Sequence, residues 1–585
     1  MEGIHIPDFW DFYREKLVQD SVISDYSRNK ESLNGSWHFG IDQYDTCLRN
    51  RWWAQYEYDN GRPLPLDYSF DSWELMDIPS CWNLKEEKLF LYEGGMVFTR
   101  NFNFIKEDDE RVFVKFAAVN YQAAVFINKE FAGMHEGGST PFFIEITKLL
   151  QQENRILVAV NNTRRKDYVP MDNTDWFNYG GIYRDALLIR LPAVFIKNFN
   201  VGLVPDGCFD KIFVKIQIDG KSIGKASIRI NELGLSEVVE IKNCIGKAEF
   251  KIDSDKLTLW SPGSPKLYDV EIMFEDDILR DKIGFREIKA QGREILLNGS
   301  SIFLKGVSVH EESIINGKAI SDEEIRENFL IAKEMGCNFM RLAHYPHTEQ
   351  ASRIADEVGI MLWEEIPVYW AIEFDNPSTY INAENQLTEL ITRDQNRASV
   401  IIWSVGNENP DSDSRLSFMS RLADRANELD GTRPVSAACL VDNEKLIIND
   451  RLADKIDIIG INEYYGWYDP DFSKLPRVLS SSNPSKPIII SEFGADCKAG
   501  HTKQGSRDDM FSEEFQHDVY LKQIEVLSSI DYIKGMSPWI FYDFRCPRRL
   551  HHMQHYYNIK GLLTADKKHR KKAFYAMKDY YTLLI

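Results

Sequence analysis

Two glutamates, each at the end of a short apolar run, constrain this chain more than any other feature. One run spans residues 400–406 and is followed by Asn407 and Glu408; the other spans 487–491 and is followed by Glu492. Apolar, β-branched runs of about four to eight residues are typical of buried parallel strands. A carboxylate at the tip of such a strand is costly to bury, because burial disfavours its charged form. We therefore expect both glutamates to serve chemistry at one edge of a parallel sheet.

Length and charge limit the classes of protein to which the chain can belong. Its 585 residues are enough for several domains, and a hydrophobic content of 43% supports globular cores. The formal charge of -20 makes nucleic acid and anionic membranes poor partners. No run of about 18 apolar residues occurs, so no membrane span is expected. An anionic substrate would need its own local cation, and the basic run 567–572 is interpreted only as the solvated start of a helix.

Cysteine spacing and the first residues bear on cofactors and location. The cysteines show no Cys-x-x-Cys spacing, which argues against a zinc site or a disulfide framework. Residues 1–7 lack a basic region followed by an apolar stretch, so no secretory signal is visible. We expect a cytoplasmic protein that uses no metal and no other cofactor. The cysteines are Cys47, Cys81, Cys208, Cys244, Cys337, Cys439, Cys497 and Cys546.

The alternation of apolar residues predicts two β domains ahead of the segment that carries the glutamates. Residues 1–190 contain short β runs separated by turn signals, as at 111–116 and 155–160, which suits a jelly-roll sandwich. From 191 to 287 a second, compact block alternates cleanly, as at 212–218. Its size and spacing favour an immunoglobulin-like β-sandwich.

From residue 288 to 585 the rhythm becomes strand, helix, strand, helix. Residues 321–324 form a capping box that begins one helix, and Gly336 stands where a left-handed residue is needed at its end. About 300 residues of this alternation predict a (β/α)8 TIM barrel. Counting strands puts Glu408 after the fourth and Glu492 after the seventh, at the edge of the barrel where active sites lie.

Paired carboxylates at such an edge suit the hydrolysis of a glycosidic bond. A retaining mechanism needs two carboxyl groups about 5–5.5 Å apart, one as an ionised nucleophile and one as a proton donor. Asn407, beside Glu408, is a suitable donor to a sugar 2-hydroxyl. Either glutamate by itself would more often be a structural ion-pair partner. Two glutamates in the same setting favour a catalytic role instead.

The motifs around the glutamates resemble glycoside hydrolase family 2, whose members include β-galactosidases, β-mannosidases and β-glucuronidases. Residues 393–408, which end in Trp-Ser-Val-Gly-Asn-Glu, resemble the family's acid/base signature. Gly-Ile-Tyr-Arg at 181–184 and Arg-Leu-Ala-His-Tyr-Pro at 341–346 extend the resemblance. It implies a jelly roll, an immunoglobulin-like sandwich and a TIM barrel in that order, with Glu408 as the acid/base and Glu492 as the nucleophile.

Within the family, the chain looks most similar to the β-glucuronidases. Residues 462–468 resemble their Asn-x-Tyr-Tyr-Gly-Trp-Tyr segment, and residues 558–560 resemble the Asn-x-Lys motif that holds a sugar carboxylate. A uronic acid is an anion, so Lys560 can supply the charge and Asn558 a neutral donor. The resemblance implies further substrate contacts from Asp175, His344, Asn407, Asn462, Tyr464, Tyr468 and Trp539.

One position departs from that pattern and bears on the sugar. Some β-glucuronidases carry an arginine four residues before the Asn-x-Lys motif, where this chain has Gln554. Arg545, Arg548 and Arg549 lie nearby in the sequence and could substitute for it. The departure leaves the choice between a glucuronide and a galacturonide open.

The chain is expected to be a retaining exo-β-glycosidase that removes terminal β-D-glucuronides by double displacement. One alternative is a β-galacturonidase or β-galactosidase of the same family. A second is a non-catalytic carbohydrate-binding protein, which the retention of both glutamates and Asn407 disfavours. The expected partner is a small-molecule or oligosaccharide glucuronide, and the resemblance implies a homo-oligomer.

Overall fold

A computed structural model describes residues 9–54, 70–505 and 507–584, and within them the chain forms three units. Residues 1–7, which bear on the expected absence of a secretory signal, lie outside the described part of the chain. In the described ranges no helix has the length and apolar character needed to cross a bilayer. All eight cysteines are free thiols.

The N-terminal unit is a sandwich of two antiparallel sheets. Six strands pair in the order β3-β2-β4-β10-β7-β8, and four in the order β1-β12-β5-β9. Trp37, Phe98 and Phe116 alternate into the space between the sheets and are fully buried. The elements are β1 Lys30–Ser32, β2 Gly35–Ile41, α1 Thr46–Asn50, β3 Glu74–Ile78, β4 Gly95–Asn103, β5 Glu110–Phe116, β6 Val119–Asn120, β7 Gln122–Ile127, β8 Glu130–Glu136, β9 Phe142–Glu145, β10 Glu153–Asn161, β11 Gly181–Ile182 and β12 Ala186–Pro192.

Seven antiparallel strands form the second unit, in the order β13-β14-β17-β16-β15-β18-β19. Every second residue of β14 is buried, and its apolar face joins Ile228 and Ile272 in one core. Between this unit and the barrel, Arg286 donates to the carbonyl oxygens of Ala398 and Val400, at 3.1 and 2.5 Å. The strands are β13 Phe195–Leu203, β14 Lys211–Asp219, β15 Ile223–Ile230, β16 Leu235–Lys242, β17 Ile245–Lys251, β18 Tyr268–Phe274 and β19 Asp277–Ile283.

The third unit is a parallel barrel with small antiparallel additions. The barrel sheet has the order β23-β33-β32-β31-β28-β27-β26-β25-β24. The strands are β20 Ile288–Gln291, β21 Glu294–Leu297, β22 Ser300–Ser301, β23 Leu304–Lys305, β24 Ser308–Val309, β25 Phe339–Leu342, β26 Met361–Glu365, β27 Val400–Asn407, β28 Val435–Cys439, β29 Val441–Asp442, β30 Ile447–Ile448, β31 Ile458–Asn462, β32 Ile488–Glu492, β33 Ile533–Met536, β34 Phe544–Arg545 and β35 Tyr557–Asn558.

The first barrel strand is interrupted, and its two halves close the barrel. β23 pairs with β33 on one side, and β24 pairs with β25 on the other. Gly306 lies at the break, where an added Cβ would stand 2.5 Å from Phe339 Cδ1, so a side chain has no room there. If the two halves count as one strand, β27 is the fourth and β32 the seventh, as the sequence predicts.

The helices surround the barrel and begin and end at recognisable signals. The Ser321 hydroxyl accepts from the backbone N–H of Glu324 and the Glu324 carboxylate accepts from that of Ser321, which confirms the predicted capping box. Gly336, just after this helix, has a φ of 89° and confirms the predicted end. The helices are α2 Asp322–Glu334, α3 Glu349–Val358, α4 Pro377–Asp394, α5 Asp413–Leu429, α6 Lys474–Ser481, α7 Glu513–Leu527 and α8 Lys572–Leu583.

The predicted domain boundaries can be placed on these elements. The boundary between 190 and 191 lies two residues before the end of β12, whose pairing with β5 continues to Pro192. The boundary between 287 and 288 lies in the connection between β19 and β20. The jelly roll, the second β unit and the TIM barrel occur in the predicted order.

Candidate active site

The carboxyl ends of several barrel strands converge on one buried arginine. Arg341, at the end of β25, donates from Nη1 to Glu492 Oε1 at 2.7 Å and from Nη2 to Asn407 Oδ1 at 2.8 Å. It also forms a two-pronged pair with Glu365, at 3.0 and 3.1 Å. Asn462 donates to the same Asn407 oxygen at 3.0 Å. The guanidinium, which the second barrel strand contributes, therefore orients residues from the third, fourth and seventh strands at once.

Glu492 is a buried carboxyl whose two oxygens both have donors. Arg341 binds Oε1, and the Tyr464 hydroxyl donates to Oε2 at 2.7 Å. Burial raises the pKa of Glu492 to about 8, and the charge of Glu408 adds to this, while Arg341 and Tyr464 oppose it. The hydrogen bonds favour the carboxylate, whereas the apolar surroundings and the second glutamate favour the acid. The carboxyl group of Glu492 is thus held in one orientation, and its ionisation is costly.

Glu408 follows β27 directly and has a different environment. Its φ of 52° places it in the left-handed region, and its backbone N–H donates to the Ala438 carbonyl at 3.0 Å. Its Oε2 accepts from Trp370 Nε1 at 3.0 Å and lies 3.4 Å from Asn407 Nδ2. Among the described residues no cation forms an ion pair with it. The side chain is partly open to solvent, so it can exchange a proton with a leaving group or with water.

An aromatic wall stands beside the two carboxyl groups. The rings of His344 and Trp539 stack at 4.7 Å, and Tyr369 lies 4.8 Å from His344. Trp176, which the N-terminal unit contributes, meets Tyr369 at 4.9 Å. His344 Nδ1 lies 2.8 Å from Glu365 Oε1, and burial lowers the pKa of His344 to about 4. The ring is therefore neutral near pH 7 and offers hydrogen bonds rather than charge.

Lys560 is a buried cation in a cluster of its own. Its side chain is 1% exposed, and Nζ donates to Asp496 Oδ2 at 2.8 Å and to the Tyr468 hydroxyl oxygen at 2.9 Å. Burial would lower the pKa of Lys560, but Asp496 and Tyr468 outweigh it and the pKa is raised. Asn558 Oδ1 accepts from the Lys560 backbone N–H at 3.2 Å, and its Nδ2 donates to Asp175 Oδ2 at 3.3 Å. Lys560 therefore stays protonated in its pair with Asp496, beside a neutral amide.

Two arginines complete this cationic cluster. Arg549 forms an ion pair with Asp175 through Nη2 and donates from Nη1 to the Tyr468 hydroxyl oxygen at 3.0 Å. Arg548 Nε lies 3.8 Å from Asp175 Oδ1. The rings of Tyr464 and Tyr468 meet edge to face at 5.2 Å. Because Tyr464 is also the donor to the second oxygen of the buried carboxyl, two tyrosines connect the cationic cluster to the carboxyl pair.

The structure brings all the predicted site residues into one network of contacts. Their individual roles stay predictions. The residues are Asp175, His344, Asn407, Glu408, Asn462, Tyr464, Tyr468, Glu492, Trp539, Asn558 and Lys560.

Sequence reasoning missed several residues of the site. From the sequence, Arg341 is recognised only as part of a family motif, although a charge on a buried strand is itself a signal. Glu365 ends an apolar run in the same way as the two glutamates and could have been found by the same rule. Trp370, Asp496 and the contacts of Arg549 lie on loops, where no residue pattern marks them.

The barrel, the carboxyl pair at its carboxyl edge and the adjoining β units define a glycoside hydrolase. Sequence models of two domains match: "Glycosyl hydrolases family 2, TIM barrel domain" over residues 288–585 and "Glycosyl hydrolases family 2, sugar binding domain" over residues 30–192. The chain belongs to glycoside hydrolase family 2. The predicted family and fold class are confirmed.

Several known proteins resemble the whole chain. A β-glucuronidase of Paenibacillus borealis is 26% identical, over 94% of this chain and 96% of its own length. The structure of a Ruminococcus gnavus β-glucuronidase in complex with C6-substituted uronic isofagomine is 26% identical, with a TM-score of 0.82 over 96% of this chain and all of that one. A β-galacturonidase from Eisenbergiella tayi bound to galacturonate shares the fold at 24% identity, with a TM-score of 0.80 over 95% of this chain and 98% of its own.

Proposed function

We propose that this protein is a retaining exo-β-glycosidase that hydrolyses terminal β-D-glucuronides by double displacement. The observation that carries the proposal is the buried Lys560, which two tyrosines connect to Glu492. A carboxyl pair alone would serve any β-glycoside, whereas a buried ammonium beside it fits a sugar that carries an acid. The likeness to the Paenibacillus borealis and Ruminococcus gnavus β-glucuronidases supports the same substrate.

The charge balance of the cationic cluster favours a uronic acid over a neutral sugar. Lys560, Arg548 and Arg549 face Asp175 and Asp496, so three cations meet two carboxylates. One positive charge is left over, and a substrate carboxylate neutralises it. A neutral sugar would leave that charge without a counter-ion in a partly exposed cluster, which is less favourable.

In the first step, Glu492 attacks the anomeric carbon as a carboxylate. The bond from that carbon to the leaving oxygen breaks, and Glu408 gives its proton to the oxygen. The product is a covalent glycosyl ester on Glu492. Arg341 and Tyr464 hold the attacking carboxylate in place, and Asn407 Nδ2 is the donor available to the sugar 2-hydroxyl.

In the second step, Glu408 acts as a base. It takes a proton from a water molecule, whose oxygen attacks the anomeric carbon and displaces the Glu492 carboxylate. Glu408 is then protonated again, ready for the next cycle. Two displacements at one carbon retain its configuration, so the sugar is released as the β-anomer.

Exo action fits the burial of the residues beside the carboxyl pair. Asp175, Asn558 and Lys560 are buried. A sugar whose acid group binds this buried cluster is best accommodated as the terminal residue. The chain end of a glycan, or a single conjugated sugar, is therefore the fitting substrate.

The test compares 4-nitrophenyl β-glucuronide, galacturonide, galactoside and glucoside as substrates. The glucuronide is expected to have the highest kcat/KM, and Lys560→Ala is expected to lower it by about 10²-fold or more. Lys568→Ala is the control, because that side chain is 85% exposed. A preferred galactoside whose rate Lys560→Ala leaves intact would refute a uronide substrate, and a preferred galacturonide would support the alternative sugar.

The remaining alternative is a carbohydrate-binding protein without activity. Tight binding of uronic acids without turnover would make the chain a carbohydrate-binding protein. A cytoplasmic location and a homo-oligomeric state stay predictions from the sequence.

A further inference from the structure

We propose that Arg549 is a second cation that recognises the carboxylate of the sugar, together with Lys560. The inference rests on the proposed function. Arg549 Nη1 and Lys560 Nζ both donate to the hydroxyl oxygen of Tyr468, at 3.0 and 2.9 Å. A phenol that accepts from two cations still has its own proton to donate. Tyr468 is 57% exposed, so a partly exposed residue carries the hydroxyl group at which the two cations meet.

Lys560 alone supplies little unbalanced charge. Its Nζ lies 2.8 Å from Asp496 Oδ2, and both side chains are 1% exposed. An ammonium held this closely by a buried carboxylate can still donate a hydrogen bond to a ligand, but the net charge of the pair is zero. The excess positive charge of the cluster therefore belongs to the arginines that share Asp175.

Arg549 has the geometry to use that charge. Its guanidinium carries five N–H donors in one plane, a shape that matches a carboxylate. Nη1 and Nη2 bind Tyr468 and Asp175, and Nε makes no hydrogen bond within the described residues. Burial would lower the pKa of Arg549, but Asp175 outweighs it and the pKa is raised, so the charge is permanent. The side chain is 20% exposed, so part of it remains accessible.

The other polar residues of this segment contact different partners. Gln554 is neutral, and its Nε2 donates to Asp496 Oδ2 at 3.3 Å. Arg545 binds Glu312 and the Tyr179 hydroxyl, at 3.0 and 3.1 Å. Arg548 lies over the Trp370 ring at 5.0 Å and is 42% exposed. Of the three arginines in this segment, only Arg549 reaches the hydroxyl that Lys560 also binds.

The experiment measures kcat/KM on two substrates that differ only in charge. One is 4-nitrophenyl β-glucuronide, and the other is its neutral glucuronamide, which keeps the shape of the acid group. Arg549→Gln is expected to lower the ratio of the two kcat/KM values roughly 10- to 100-fold. Arg549→Lys is expected to recover part of it, because the charge remains and the fork is lost. Arg548→Gln tests whether the second arginine of the cluster contributes to the selectivity. Arg280→Gln, at a 62% exposed side chain of the second unit, is the control, with a change below about threefold.

Each outcome decides one point. Equal losses on the acid and the amide would mean that Arg549 only positions Asp175, and the inference would be wrong. If Arg548→Gln lowers the ratio as much as Arg549→Gln does, the selectivity comes from the total positive charge of the cluster and not from the contacts of Arg549. The inference would then be wrong. A wild-type enzyme without a preference for uronides would overturn the proposed function itself. A wild-type preference that survives Arg549→Gln would overturn this inference alone. Far-ultraviolet circular dichroism and thermal melting establish that each variant is folded.

Discussion

Arg341 donates a 2.7 Å hydrogen bond to Glu492, and the two side chains are 0% and 6% exposed. The same guanidinium holds Glu365 and Asn407, so the position of Glu492 depends on a fully buried cation. In water this ion pair would contribute little interaction energy. In a buried site the interaction is stronger, and its geometry fixes the position of the carboxylate. The arrangement leads to predictions for both rate and stability.

Arg341→Lys is expected to lower kcat by about 10²-fold or more and to destabilise the protein. A lysine is a point charge that cannot serve Glu365, Glu492 and Asn407 together, so a buried carboxylate loses its partner. Such losses cost about 3–5 kcal/mol in the free energy of unfolding. Steady-state kinetics and urea denaturation measure the two effects. Arg451→Lys, at a side chain that is 45% exposed, is the control and should change neither. A kcat within threefold of wild type would contradict the role of Arg341.

Tyr464→Phe is expected to lower kcat roughly tenfold. The variant removes the donor to Glu492 Oε2, a hydrogen bond that lowers the pKa of Glu492. The acidic limb of the pH profile should therefore move to higher pH. Tyr465→Phe is the matched control, because the Tyr465 hydroxyl donates to Asn443 at 3.0 Å and not to the carboxyl pair. Equal effects of the two substitutions would contradict this account.

The pH dependence of kcat/KM follows from the raised pKa of Glu492. The reactive form is the carboxylate, so activity is lost as the pH falls through the pKa, which burial raises to about 8. The acidic limb is expected well above the range of an ordinary glutamate.

Removing the second charge tests the same coupling. Glu408→Gln abolishes the repulsion that raises the pKa of Glu492, so the acidic limb should move to lower pH. The measurement uses an aryl glucuronide with a very acidic phenol, whose departure does not need the proton of Glu408. A limb that stays in place or moves upward would contradict the repulsion between the two carboxyl groups.

Lys571→Met is expected to lower both the free energy of unfolding and the affinity for the glucuronide. Lys571 is fully buried, and its Nζ donates to the carbonyl oxygen of Ile559 at 2.9 Å and to Asp543 at 2.7 Å. Ile559 stands between Asn558 and Lys560, so Lys571 supports the segment that carries these two residues of the cationic cluster. The loss leaves Asp543 buried and unpaired, at about 3–5 kcal/mol of unfolding free energy, and KM for the glucuronide should rise. Lys572→Met, at a 50% exposed side chain, is the control. An unchanged denaturation midpoint would contradict the prediction.

The fold could be predicted because local patterns and tertiary packing agree. The apolar runs before Glu408 and Glu492 became β27 and β32, and the capping box at Ser321 begins α2. Buried parallel strands require apolar runs, and helix ends require specific residues, so both features can be recognised in the amino-acid sequence.

The remainder of the site depends on contacts that no local pattern encodes. Arg549 reaches Tyr468 because two distant loops meet, and nothing in its own neighbourhood distinguishes it from Arg548. Lys571 lies in a basic run, which composition assigns to solvent, yet it is fully buried against three acceptors. Here the interpretation from sequence was wrong for one residue, because burial of a lysine requires partners that only the folded chain supplies.

The most direct test is to trap the glycosyl ester on Glu492. A 2-deoxy-2-fluoro-β-glucuronosyl fluoride has a good leaving group, and its fluorine destabilises the positively charged transition states of both steps, so the ester accumulates. Mass spectrometry of the intact protein and of its peptides is expected to show one fluoroglucuronosyl group, attached to Glu492 and absent from Glu492→Gln. Attachment to Glu408 or to any other residue, or turnover that inverts the anomeric centre, would contradict the mechanism.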